Sequence, residues 1–561
     1  MSAFTQPYHD AAAQLTGAGA PFEVVSRDLD GVPVKAFRNA ASRLDHYLDG
    51  GRRHGAAPLL HYQGSNWSFD DFFRAVDRLS NWLRSEAGTA SGTRVAIAMR
   101  NRPEWLVAFV AVVNAGATAV LLNSWGRGRE LGQGLADSGA ELLICDAPRL
   151  AFARESQPDL PALVVDPESC QQGDQDFADI IGRDWSAELP AVVIDPDDPA
   201  ILMFTSGTSG RPKGVLVSHF NCCQSLMNLE FVGAATYMTN QEAMNRQLAS
   251  GVPAKTLLAV PLFHISGLFS QFIVNMHHGR SLHIMYKWDA AEALRLIREE
   301  QITVVMGAPV MMLDLLSNPE FHPEDARHLT NVSSGGAATP EALSNLYRDK
   351  AGNAFSGGGW GMTETLGTGA AFTGYYYEQR PAAAGFPSPI MEYSFRGEDG
   401  MPVPAGEPGE ICVRSGAAIQ HYNSADDSGS FPDGWFATGD IGYIDSEGLL
   451  YICGRVKDMI IRGGENVYPS EVEACLLTLP GCLEAAVVGT PHATWGEEVA
   501  AVVRVGPDHR LDPEDVINHC RQQLAGFKVP AHLQFTEEAL PRNALKKLIK
   551  TDILARYFPN V

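Results

Sequence analysis

Short apolar runs and amphipathic stretches alternate through the first three quarters of the chain. "RVAIAM" (Arg94 to Met99), "ELLICD" (Glu141 to Asp146), "TLLAVP" (Thr256 to Pro261) and "ITVVMG" (Ile302 to Gly307) are continuous and short, which predicts buried strands. "DAAEALRLIREE" (Asp289 to Glu300) has helical spacing with Asp289 as its N-cap. Strand–helix alternation predicts an α/β fold whose large N-terminal domain has largely parallel sheets flanked by helices. Near Tyr451 the pattern changes. "DSEG" (Asp445 to Gly448) reads as a hairpin turn, and Ser470 with Glu473 has the spacing of a capping box. Short strands follow at Ala485 to Gly489 and Glu498 to Val505, then a helix from Pro513 to Leu524 capped by Asp512. We expect two domains, residues 1–456 and a small α+β domain of residues 457–561.

"WLVAFVAVVNAGATAVLL" (Trp105 to Leu122) approaches the length of a membrane span. Asn114, Gly116 and Thr118 interrupt it and Pro103 stands at its start, so it reads as a buried helix followed by a strand, and we expect no integral membrane segment. The 561 residues are 45% hydrophobic and 19% charged, ordinary for a soluble globular protein. A formal charge of −23 argues against a nucleic-acid partner, which needs a basic stripe. Nine scattered cysteines lack metal-like spacing, and the start lacks a basic region followed by an apolar one. Reduced thiols in a cytoplasmic protein are the expectation.

The strongest local signal interrupts two strand-like runs, "AILMF" (Ala200 to Phe204) and "VLVSH" (Val215 to His219). Between them lies "TSGTSGRPKG" (Thr205 to Gly214). Gly207, Gly210 and Gly214 let backbone N–H groups approach a ligand, and Thr205, Ser206, Thr208 and Ser209 add hydroxyls. Arg211 and Lys213 add charge, making an anion nest suited to a polyphosphate. It is not a Walker loop, because Pro212 stands where that motif needs glycine. "VSSGGAATP" (Val332 to Pro340) reads as a strand, a glycine pair and a helix start with Thr339 as N-cap. In "GGGWGMTET" (Gly357 to Thr365), Trp360 can cover a purine, Thr363 can bond a phosphate and Glu364 can hold Mg²⁺ through oxygen. "GWFATGDIG" carries a lone Asp440, and "PLFHISGL" a lone His264.

In this order the motifs resemble the adenylate-forming superfamily of acyl-CoA synthetases, peptide-synthetase adenylation domains and firefly-type luciferases, from about Leu59 to Leu554. The resemblance implies that Thr205, Ser206, Gly207, Thr208, Ser209, Gly210 and Lys213 bind the phosphates of ATP. It implies that Gly335, Gly336 and Ala337 border the adenine together with Gly359, Trp360, Gly361, Met362 and Thr363. Asp440, Ile452 and Arg455 would complete the nucleotide site, with Asp440 on the ribose. Thr205 and Glu364 would serve Mg²⁺. Phe263, His264, Met306, Val310, Gly336 and Leu366 fall at acyl-site positions, with His264 shaping the site rather than moving protons. Lys457 matches a hinge about which the small domain rotates, presenting Arg462, Gly463 and Gly464 to coenzyme A. "LPRNALKKLIK" (Leu540 to Lys550) matches the loop delivering the catalytic lysine, Lys547 when aligned on "PRN". The family usually has Ser-Gly before that lysine; here Leu545-Lys546 stands, so Lys546 is a rival.

The implied reaction joins a carboxylate to the α-phosphate of ATP, releasing pyrophosphate, then passes the acyl group to coenzyme A. Two unit charges about 4 Å apart repel by roughly 4 kcal/mol at an effective dielectric of 20, so cations and donors must gather where they meet. The apolar acyl positions favour a hydrophobic acid, a fatty acid first, with aryl and terpenoid or steroid acids as rivals. A carrier protein as acceptor, luciferase-like oxidation and a non-catalytic nucleotide binder are the other readings, and a homodimer is one candidate assembly.

Overall fold

The computed structural model describes residues 2–126, 128–167, 173–184, 192–205, 213–249, 251–336, 339, 341–423, 432–506, 509–543 and 547–559. Two large sheets dominate the N-terminal part. One has seven strands, running in space from Lys213–Ser218 through Pro199–Thr205, Thr118–Leu121, Arg94–Ala98, Leu142–Asp146 and Ala162–Val165 to Gln175–Asp176. All its pairs are parallel except that between Pro199–Thr205 and Lys213–Ser218. The other has nine strands and is parallel through Pro58–Tyr62, Ser281–Ile284, Lys255–Leu258, Val304–Gly307, Asn331–Ser334 and Phe355–Trp360. The expected α/β architecture is therefore the one observed.

The helix Pro103–Asn114 shows why a membrane-like sequence sits in a core. From Trp105 to Val113 it is buried all round, and one apolar cluster joins it to Val95 and Ile97 of the first sheet and Leu258 and Leu282 of the second. A helix apolar on every face belongs in such an interior. Each large side chain buried there stabilises the fold by about 1.5–3 kcal/mol. Among the described residues no helix is long and apolar enough to cross a membrane.

A four-stranded antiparallel sheet, Met391–Arg396, Gly409–Ser415, Phe436–Ile444 and Leu450–Arg455, follows the two large ones. The C-terminal part builds a five-stranded sheet with its own apolar cluster around Val487, Val499, Ala501 and Val503. Two local expectations need correction here. The strands at 485–489 and 498–505 are parts of a longer antiparallel pair, Cys482–His492 with Gly496–Val505. Ser470 and Glu473 form no capping box: the helix starts at Pro469, Ser470 Oγ donates to the Cys453 carbonyl, and Glu473 accepts from the Val487 N–H at 2.9 Å. Tertiary partners took both side chains from the local motif. The cap at Asp289 is as expected, its carboxylate accepting from the Glu292 N–H at 2.9 Å.

His283 tests the electrostatics of this interior. It is 2% exposed, stacks on His61 at 4.2 Å, and burial with the nearby His61 and Lys255 pulls its pKa down to about 3. A folded value below the unfolded 6.5 means that the unfolded chain binds the proton first, so stability is lost as pH falls through that window. We expect His283→Leu to gain on the wild type by about 1.4 kcal/mol for each pH unit below 6.5, read by chemical denaturation between pH 7.5 and 5. A pH-independent difference would contradict this.

Candidate active site

The site gathers at the carboxyl edge of the seven-stranded sheet, where open parallel sheets bind ligands. Thr205 ends one strand, Lys213 opens the next, and the two are paired across the antiparallel ladder. The expected strand–loop–strand arrangement is thus seen at both ends; Ser206, Gly207, Thr208, Ser209 and Gly210, with Arg211 and Pro212, lie outside the described residues. Gly214 has a structural role, since a Cβ there would come within 3.1 Å of Asn423 and Leu202.

Lys213 Nζ lies 4.8 Å from the centre of the Tyr422 ring. The Tyr422 hydroxyl donates to Glu364 Oε1 at 3.0 Å. Glu364 is 6% exposed, and burial raises its carboxyl pKa against the opposing pull of Tyr422, Arg455 and Lys213. Tyr422 was missed in the sequence. It sits in no motif and reaches the site through a bridge to Val215, a contact between residues 207 positions apart that only the fold reveals.

Trp360 ends the strand Phe355–Trp360. It is buried, and its indole N–H donates to Asp440 Oδ2 at 2.8 Å. Arg455 Nε donates to the other oxygen, Oδ1, at 2.7 Å, the two residues being register partners on adjacent strands. Asp440 is thereby fixed with free lone pairs on both oxygens, the arrangement a vicinal diol needs. Ile452, half-buried, pairs with Gly442 on the same ladder. Gly361 answers to packing: a Cβ would sit 1.2 Å from the Gly367 carbonyl oxygen. Gly359 likewise lies against the Ala370 carbonyl. Met362 and Thr363 lead into the short turn Thr363–Thr365, where the Met362 N–H donates to Thr365 Oγ1 at 3.0 Å. Gly335 and Gly336 are exposed, with no atom within 4 Å of a Cβ built on either. Ala337 lies outside the described residues.

His264 follows a strand-end turn and packs on the Phe263 ring at 4.2 Å. Its Nε2 is buried with no hydrogen-bond partner among the described residues. Burial, then the charge of Lys547, lowers its pKa to about 3, so it stands neutral at working pH. Phe263 and Met311 are buried, and Met306 and Val310 half-buried, around the strand Val304–Gly307 and the helix Pro309–Leu316. Leu366 is 1% exposed within the large core, its carbonyl accepting from Ser225 Oγ at 2.6 Å.

The C-terminal part delivers Lys547. Its backbone is tied to Asn543 in both directions, and its ammonium lies within electrostatic reach of Arg455, Asp440 and Glu364. The side chain keeps surface open to solvent while protein surrounds it on the site side; that crowding, then Arg455, lowers its pKa, and Asp440 and Glu364 oppose the shift. Lys546 lies outside the described residues. Lys457 stands exposed in the turn Val456–Asp458, after the four-stranded sheet and before the five-stranded one. Gly463 and Gly464 form the two-residue turn of a hairpin, with φ of 63° and 87° that favours glycine. Arg462 is engaged within its own domain, donating to the Phe527 carbonyl at 2.9 Å and pairing with Glu498 at 3.3 Å.

Mg²⁺ takes oxygen ligands, so the Glu364 carboxylate, bonded to Tyr422 beside Lys213, with the Thr205 hydroxyl as a further oxygen, would be the groups to hold it on substrate phosphates. Removing the Glu364 charge tests this corner. Its folded pKa lies above the unfolded 4.5, so the group lowers stability increasingly as pH rises from 4.5 toward the raised value. We expect Glu364→Gln to lower the nucleotidyl-transfer rate about 100-fold or more while melting no lower than the wild type at neutral pH. A cooperative loss of both would mark Glu364 as structural.

The chain matches the family model "AMP-binding enzyme" over residues 49–422 and "AMP-binding enzyme C-terminal domain" over residues 471–547. It is 34% identical to the long-chain-fatty-acid–CoA ligase FadD13 of Mycobacterium tuberculosis, over 84% of this chain and 90% of that one. It is 33% identical to a feruloyl-CoA synthase of Amycolatopsis sp, over 89% and 96%. The solved structure of the o-succinylbenzoate coenzyme A synthetase of Bacillus subtilis, in complex with ATP and magnesium ion, aligns over 90% of this chain and 98% of that one, with a TM-score of 0.72 and 27% identity. The chain belongs to the AMP-binding enzyme family and is an acid–thiol ligase of the AMP-forming acyl-CoA synthetase type.

Proposed function

We propose that this ligase activates a hydrophobic carboxylic acid, a fatty acid first, and that Lys547, Glu364, Lys213 and Asp440 carry the adenylation. The observation that supports it most is the electrostatic convergence of Lys547, from the C-terminal part, on Glu364, Asp440 and His264, each more than 100 residues away in sequence. A carboxylate oxygen attacks the α-phosphorus of ATP, and the bond to pyrophosphate breaks. Lys547 offsets the repulsion between the two anions, Asp440 holds the ribose hydroxyls, and the segment from Thr205 to Lys213 holds the departing phosphates. Glu364 and the Thr205 hydroxyl would hold Mg²⁺, which would neutralise part of the phosphate charge.

In the second step the thiol sulfur of coenzyme A attacks the acyl carbon, its proton is lost, and AMP leaves. Lys547 stands within electrostatic reach of Glu364 and Asp440, and on this reading the Gly463–Gly464 hairpin takes its place when the C-terminal part turns about Lys457. A carrier protein as acceptor is the rival for this step.

Buried Phe263 and Met311 support a fatty acid. An aryl acid bearing a hydroxyl is the second reading, favoured by two buried polar atoms near the acyl segment, His264 Nε2 and Gln271 Oε1, that have no partner among the described residues. The Gln271 side chain is fixed there by donating to the Met306 carbonyl at 2.9 Å. Such atoms discriminate strongly for a substrate that pairs them.

Acid-dependent exchange of labelled pyrophosphate into ATP, run over aliphatic and hydroxyaryl acids, tests both readings. Exchange highest with medium or long aliphatic acids supports the first; exchange confined to hydroxyaryl acids replaces it with the second. Lys547→Ala should lower exchange about 100- to 1000-fold and spare thioester formation from supplied acyl-adenylate. The same effect from Lys546→Ala, with Lys547→Ala active, would shift the register by one.

A further inference from the structure

Arg100 is the cation that the adenylation chemistry leaves unused. It follows the strand Arg94–Ala98, at the same carboxyl edge as Thr205 and two strands away in the sheet, about 10 Å. Its guanidinium lies 3.3 Å from the centre of the Trp125 ring. Its Nε and Nη1 are buried without a hydrogen-bond partner among the described residues. The neighbouring Arg102, by contrast, is paired with Glu104 and Asp166, both at 2.7 Å.

The surroundings add positive charge. Burial, and next the charge of Arg149, lowers the Arg100 pKa, with Tyr286 and Asp146 opposing. Asp146 is already bound by Arg149 at 3.2 Å, leaving two guanidiniums facing one carboxylate. Glu130, near the Trp125 loop, is held by Asn123 at 2.7 Å. An unpaired, partly buried guanidinium is costly unless an anion completes it.

The loops holding this pair are braced. Arg149 Nε donates to the Ser124 carbonyl at 3.0 Å, and the Trp125 N–H donates to Asn123 Oδ1 at 2.9 Å. Asn101, next to Arg100, donates to the Val260 carbonyl at 3.0 Å and accepts from the Leu262 N–H at 3.1 Å, joining the loop to the segment before His264. The indole of Trp125 is 39% exposed and Tyr286 38% exposed, offering flat apolar surface beside the charge.

We infer that Arg100 and Trp125 bind the phosphorylated adenosine end of coenzyme A, with Arg100 on a phosphate and Trp125 against the purine. The inference rests on the proposed second step. The phosphates of ATP belong to the segment from Thr205 to Lys213. The pantetheine arm keeps the phosphates of coenzyme A well away from its thiol, so an anion site displaced along the sheet edge suits it.

Arg100→Met and Trp125→Ala are assayed with coenzyme A, with 3′-dephospho-coenzyme A and with pantetheine as acceptors, alongside acid-dependent pyrophosphate exchange. We expect Arg100→Met to raise the KM for coenzyme A about tenfold or more, with the KM for pantetheine and the exchange rate within about twofold of the wild type. Arg100→Lys should recover part of the loss, and Trp125→Ala should shift the KM for coenzyme A but not for pantetheine. A melting temperature at or above that of the wild type shows that Arg100→Met folds. Equal effects on coenzyme A and pantetheine, or a matching loss of exchange, would overturn the site. Wild-type protein that exchanges pyrophosphate but forms no thioester with either acceptor would overturn the coenzyme A reading itself, and the site with it. A loss seen with coenzyme A but absent with the 3′-dephospho form places Arg100 on the 3′-phosphate; an equal loss with both places it on the diphosphate.

Discussion

Glu364 keeps a carboxylate in the interior with the charges of Lys213, Arg455 and Lys547 around it, and these come from three distant parts of the chain. Burial alone would push the proton onto Glu364 and off Lys547, and both shifts run in that direction. Each group limits the displacement of the other. On the proposed reading, the cations around Glu364 stand where two anions approach. Preorganised charge of this kind lowers a barrier without reorganising water during the reaction.

The same economy of parts governs the nucleotide side. Trp360, expected as a purine cover, is buried, and its indole N–H fixes one oxygen of Asp440. Arg455 fixes the other. Held from both sides by groups on rigid strands, Asp440 would lose little entropy on binding a ribose as proposed. Asp440 is thus supported by two groups that stand on strands of two different sheets.

Several glycines of the motifs turned out to serve the chain. Gly361 admits the Gly367 carbonyl, Gly214 admits Asn423, and Gly463 with Gly464 makes a hairpin turn. Gly335 and Gly336 are different, with open space where a side chain would stand. Composition cannot separate these cases, because a missing Cβ makes room for backbone and ligand alike.

The sequence by itself determined the α/β class, the polar loop between two strands, the caps at Asp289 and Asp512, and most of the residue types that meet at the site. Those are local facts, written in periodicity, capping chemistry and contiguous motifs. Only the tertiary structure decided that Tyr422 bonds Glu364, that Trp360 holds Asp440, that Ser470 and Glu473 leave their capping box for partners on other strands, and that Arg100 lies on Trp125 with Nε and Nη1 unbonded among the described residues. Each joins elements far apart in the chain, and its energy depends on burial and on which neighbours remain unsatisfied. Neither quantity exists until the chain has folded.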